Sequence, residues 1–128
     1  MADNASYAAT PRIGYVQATA ANTNRDGTTG TYYSVITGAA GGTRIDRVVM
    51  QAAVTTTAGM VRLFIDDGSS VKLYAEVPVA AITASGTVAA FRASIETPDL
   101  NLPSSSHVLK ANINNAEAMN IFAHGGDY

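Results

Sequence analysis

Asn22-Thr23-Asn24-Arg25-Asp26-Gly27 places side-chain oxygens at alternate positions and a glycine at the sixth, as the opening of a calcium loop does. A helix–loop–helix calcium site also needs a bidentate carboxylate at the twelfth position, where this chain has Tyr33. Asn, Asp and Gly are also the ordinary residues of turns, and that reading predicts no metal here. Asp66-Asp67 pairs two carboxylates, the composition of a general acid/base couple. Neighbouring strand residues point to opposite faces, so the pair is expected to serve a turn and not to share a proton.

His107 and His124 are the two histidines. They stand at the start of one expected strand and the end of another, and antiparallel pairing of those strands would bring them together. Ser104-Ser105-Ser106 lies beside His107, and Asp127 completes the residue types of a Ser-His-Asp triad. No Gly-x-Ser-x-Gly turn presents a nucleophile, however. The expectation is therefore no catalytic residue, no cofactor and no enzyme activity. A hydrolase using His107 or His124 is the competing class.

Tyrosine and arginine are the side chains enriched at protein interfaces. The expected interface set is Arg12, Arg25, Tyr32, Tyr33, Arg62, Tyr74 and Arg92. Within it, Arg62, Tyr74 and Arg92 fall on the outward faces of their strands by alternation.

Composition narrows the classes further. The 128 residues fit one domain and include no cysteine, which removes disulfides, zinc–thiolate sites and thiol catalysis. The net charge of −2 and the scattered arginines argue against nucleic acid as a partner, because binding it takes a concentrated basic face. No run of eighteen apolar residues predicts a membrane span, and the first residues lack the basic and apolar regions of a signal peptide. Only 14% of the chain is charged, against about a quarter in typical domains. A weakly charged, Thr/Ala-rich surface suits a protein packed against others.

The elements that position these residues follow from periodicity. Val61-Arg62-Leu63-Phe64-Ile65-Asp66 and Val71-Lys72-Leu73-Tyr74-Ala75-Glu76-Val77 alternate apolar and polar residues, the signature of strands with one buried face. The same pattern returns in residues 89–95 and 109–113. Strands are expected over 12–18 (with Ile13 and Tyr15 sharing a face), 32–37, 44–54, 60–66, 71–79, 88–97, 107–113 and 119–124. Asp67-Gly68 is a tight hairpin signal. Val48-Val49 breaks the alternation of the third strand, predicting a bulge or burial on both faces. Residues 98–106, with Pro98 and Pro103, read as a loop. Residues 1–10 read as an N-terminal arm and residues 11–128 as a β-sandwich domain.

Eight strands without a helix make an all-β, antiparallel two-sheet sandwich, jelly-roll-like in its connections. An immunoglobulin-like sandwich is the second choice, but the cysteine pair and core tryptophan of antibody domains are missing.

Four segments in order, Thr10-Pro11-Arg12-Ile13-Gly14, Ala21 to Thr28, Ala58 to Gly68 and Ala123 to Tyr128, resemble small structural proteins encoded near the head genes of tailed bacteriophages. The resemblance implies a capsid decoration (cement) protein with a jelly-roll-like fold. Such a protein would bind the outer surface of the virion as a dimer or trimer, with the major capsid protein and its own copies as partners. It brings no catalytic residues with it. The alternative from another class is a carbohydrate- or receptor-binding sandwich of a phage fibre or tail, with tyrosines stacking on sugars.

Overall fold

The computed structural model describes residues 10–128, so the expected arm lies outside the described residues except at Thr10. Alternation becomes eight strands: β1 (Thr10–Ala18), β2 (Tyr33–Thr37), β3 (Thr43–Ala52), β4 (Gly59–Asp66), β5 (Val71–Val79), β6 (Arg92–Leu102), β7 (Val108–Ile113) and β8 (Met119–Asp127). They form two antiparallel four-stranded sheets, ordered β1-β8-β3-β6 and β2-β7-β4-β5. The pairs β1–β8, β2–β7, β3–β6 and β4–β5 are all hydrogen-bonded. They are the successive rungs of one long ribbon folded at the β4–β5 hairpin. Winding that ribbon adds the β3–β8 and β4–β7 pairings and closes the jelly roll.

Between the sheets, every second residue is buried. Val48, Met50, Ile121 and Ala123 from the first sheet meet Val61, Leu63, Leu109 and Ala111 from the second in one core. Apolar burial of this kind supplies most of the stabilisation, at about 25 cal/mol per Å² removed from water.

Three strand limits differ from expectation by three residues or more. The sixth strand begins at Arg92 and runs through Pro98 to Leu102, so residues 88–91 are not part of it and 98–102 are not loop. Proline is tolerated because β6 is an edge strand, and Thr97-Pro98-Asp99 lie opposite Asp46 where the β3–β6 register shifts. That bulge falls at Asp46, two residues before Val48-Val49. At Val48-Val49 the broken alternation reflects burial on both faces: Val48 points to the core and Val49 is covered on the outside. The eighth strand continues past His124 to Asp127. Gly125 permits this, because a Cβ there would stand 1.8 Å from the carbonyl oxygen of Arg44. The Asp67-Gly68 hairpin forms as expected, with Gly68 at φ 92° and Asp67 N–H donating to Ser70 O at 3.1 Å.

Candidate functional site

The two sheets present different outer faces. The outer face of β2-β7-β4-β5 is covered over β7 and β4 by the chain itself. Residues 21–32, between β1 and β2, lie across it. The segment is anchored by Asn22 N–H to Ile113 O at 2.8 Å and by Asn112 Nδ2 to Asn24 O at 2.9 Å. Tyr32 sets its ring edge-on to Phe64, with centroids 5.0 Å apart at 89°. Phe64 is fully buried although it points away from the main core, and Asn112 beside it is fully buried too. Asn112 Oδ1 has no hydrogen-bond partner among the described residues.

This cover corrects the expectation for Arg62. Its alternation places it outward, but it is only 4% exposed. Arg62 Nε donates to Glu76 Oε2 at 3.0 Å and Nη1 to Asn114 Oδ1 at 3.3 Å, while Arg25 Nε donates to the same Glu76 oxygen at 2.7 Å. Alternation tells which side of a sheet a residue faces, and a distant loop decides whether that side is wet. The two guanidiniums hold the Glu76 carboxyl below the usual carboxylate range, Arg25 contributing most.

The loop that opens like a calcium site spends its oxygens on its own backbone. Asp26 accepts from Thr28 N–H, Thr29 N–H, Thr29 Oγ1–H and the Tyr32 hydroxyl. Its carboxyl is driven far below the usual range, chiefly by the Thr29 hydroxyl. Asn22 Oδ1 accepts from Asn24 N–H and Nδ2. Tyr32 is held above the ordinary phenol range by desolvation first and by Asp26 second. Among the described residues no group of three or more His, Cys, Asp or Glu gathers to hold a metal ion.

The remaining candidates are dispersed. Tyr33 turns its hydroxyl onto Thr19 N–H at 3.2 Å and Ala20 N–H at 2.9 Å, fixing the exit of β1. Hydrogen bonding from the Thr19 side chain first, and then from these two amides, brings its hydroxyl below the ordinary phenol range. Arg12 donates to Asp127 Oδ1 at 3.2 Å and to Thr43 Oγ1 at 3.3 Å. Asp127 also accepts from the Thr43 hydroxyl at 2.7 Å, which is the main reason its carboxyl is held low. Tyr74 is exposed on edge strand β5, and Arg92 is exposed on β6. Of the seven expected interface residues, then, Arg25, Tyr32 and Arg62 come together in one intrachain clamp, and Arg12, Tyr33, Tyr74 and Arg92 stand apart.

The histidines do not meet as a paired-strand arrangement would require. β7 belongs to one sheet and β8 to the other. His107 Nδ1 lies 2.9 Å from Ser104 Oγ, within the β6–β7 turn. Asp127, the third residue type of the possible triad, is engaged by Arg12 and Thr43 instead. Asp66 and Asp67 serve separate tasks, as expected of a turn. Asp66 pairs with Lys110 Nζ at 2.8 Å and caps Gly68 N–H, while Asp67 caps Ser69 and Ser70.

The outer face of β1-β8-β3-β6 is crossed by no covering segment among the described residues, although Val49 at its centre is only 3% exposed among its neighbours. Strand register aligns Tyr15, Phe122, Val49 and Ser94 in one row across all four strands. Tyr15 is 68% exposed and Ile13, two residues away on the same face, 48%. Tyr15 and Phe122 rest against each other with centroids 5.9 Å apart. Arg92 and Glu96 flank Ser94 on β6, both exposed; Arg92 donates to Gln51 Oε1 at 3.4 Å and Glu96 stands opposite exposed Arg47 in register, but neither is in an ion pair among the described residues. Sequence reasoning put Arg92 in the interface set but not Tyr15, Phe122 or Glu96. The alternating face of β1 opposite Tyr15 (Gly14, Val16, Ala18) is also apolar, so the pattern by itself does not say which face is inside.

No protein-family model matches the chain, and no curated protein matches it. Among solved structures it is similar to a pentameric capsid protein isolated from metagenomic phage sequences, at 14% identity and a TM-score of 0.39, over 91% of this chain and 63% of that one. It is also similar to a chain of infectious bursal disease virus, Gx strain, at 14% identity and a TM-score of 0.27, over 94% of this chain and 28% of that one. The chain thus spans less than two-thirds of the length of either neighbour, and likeness at this level carries no argument about function.

Proposed function

We propose that this chain is a virion structural protein that decorates the outer surface of a phage capsid and stabilises it by bridging major capsid protein subunits. The observation that carries the reading is the contrast between the sheet faces: one is covered over β7 and β4 by residues 21–32, and the other carries no cover among the described residues, with Tyr15 68% exposed. A flat aromatic face in a weakly charged molecule is a surface for protein. The side chains that could do chemistry support the same reading, because Asp26, Asp67 and Asp127 are each spent on turns and clamps. The mechanism is contact area repeated over a symmetric lattice, where each weak contact is tethered by its neighbours. The four segments resembling phage head-associated proteins select the capsid as the assembly.

Co-sedimentation of the purified protein with expanded and unexpanded capsids tests it. Binding to expanded capsids, reduced by Tyr74→Ala or by removal of residues 1–9, is the expected result. Glycan binding without capsid affinity would replace it with the fibre or tail reading, through exposed Tyr74.

A further inference from the structure

We infer that the bare face of β1-β8-β3-β6 docks onto the same face of a second copy, with the two-fold axis running along the Tyr15–Phe122–Val49–Ser94 row. The inference assigns that face to a second copy, which leaves the β5 edge with exposed Tyr74 for a capsid.

A two-fold interface must be self-complementary, because each patch meets its own image. An axis lying in the interface and perpendicular to the strands reverses position along each strand and keeps the strand order. Every residue of the central row then meets its own copy, so aromatic and apolar groups meet like groups. On β6, Arg92 lies two residues before Ser94 and Glu96 two residues after it, on the same exposed face. The rotation therefore sets Arg92 against Glu96 of the other copy, and Glu96 against its Arg92. A face with no ion pair of its own among the described residues gains two across this axis. An axis parallel to the strands would instead bring β6 over β1, where Ile13 and Gln17 offer these charges no counter-charge.

The area is in keeping with such a contact. Four strands about 4.8 Å apart, over three rows about 7 Å apart, give a face of roughly 400 Å² in projection before side-chain relief is counted. That is about half of the roughly 800 Å² per partner of a standard complex, so the expected dimer is a weak one. Sheets stacked this way align within about 30°, the geometry already adopted inside sandwiches.

The test is charge exchange, read by sedimentation velocity over a concentration series, with circular dichroism and thermal unfolding to establish that each variant is folded. The wild type is expected to dimerise. Arg92→Glu and Glu96→Arg should each raise the dimer Kd at least about tenfold, since each sets like charges face to face. The double variant R92E/E96R should restore dimerisation, and so should an equimolar mixture of the two single variants. Tyr15→Ala should weaken the dimer while the circular dichroism shows the variant folded. A wild type that stays monomeric throughout overturns the inference. So does a dimer indifferent to Tyr15→Ala and both charge reversals, or a folded double variant that stays as weak as the singles.

Discussion

Arg62 Nε donates to Glu76 Oε2 at 3.0 Å on the face of β4 that points away from the sandwich core. Because Arg25 shares that oxygen from the overlying segment, the contact ties the 21–32 cover to two strands at once. The partners differ in solvation: the Arg62 side chain is 5% exposed and that of Arg25 56%. Exposed ion pairs are worth little, whereas truncating a buried partner leaves desolvated groups unpaired. Arg62→Met should therefore lower the Tm by several degrees, and Arg25→Ala by clearly less. Arg62→Lys should rescue only part of the loss, because an ammonium lacks the fork that serves Glu76 and Asn114 together. Thermal unfolding of the three variants checks this ordering.

Phe64 makes a small second core with Tyr32, separate from the one between the sheets. Phe64→Ala should cost about 3–5 kcal/mol, as much as a truncation in the main core. A double-mutant cycle with Tyr32→Ala in denaturant unfolding should return a coupling of about 0.5–1.5 kcal/mol, the value of an edge-on aromatic pair. Zero coupling would mean that the cover is not seated on Phe64.

Gly125 is where β8 passes closest to β3, and the Arg44 carbonyl occupies the space a side chain would need. Backbone cannot give way as a flexible side-chain tip can. Gly125→Ala should break the local pairing of Gly125 with Ile45 and destabilise the protein by about 2 kcal/mol or more. Hydrogen exchange should show the loss concentrated at the ends of β3 and β8.

Acid should unfold the protein through a defined set of carboxylates. Asp66 is held low by Lys110, Glu76 by Arg25 and Arg62, and Asp127 by Thr43 and Arg12. Each binds its proton more weakly folded than unfolded. Their stabilisation is complete above the unfolded carboxylate value of about 4 and is lost as pH falls through the lower folded values. The Tm should be flat from about pH 5 to 7 and fall below about pH 4. Glu76→Gln should lower the Tm at neutral pH and flatten the acid limb.

Alternation by itself determined the class of this protein. The period of two in Val61–Asp66 and Val71–Val77 depends only on neighbouring residues, because successive side chains of a strand must point to opposite faces. The hairpin at Asp67-Gly68 was legible for the same local reason, a glycine where the turn needs positive φ. Eight strands, and from their number and spacing two sheets, followed from such local rules.

What only the tertiary structure decided was which faces stay wet. Arg62 and Tyr15 both stand on outer sheet faces, Arg62 by alternation and Tyr15 by a choice that the pattern of β1 left open. Arg62 is sealed because residues 21–32 cross β7, β4 and β5, and Tyr15 is bare because nothing among the described residues crosses β1 and β8. Pro98 within β6 and the placement of His107 and His124 in different sheets depended likewise on pairings between distant segments. Local sterics and hydrophobicity act over two to four residues and are written in the order of the chain. Cover, register and edge position arise from contacts between segments tens of residues apart, and winding the ribbon into two layers sets them.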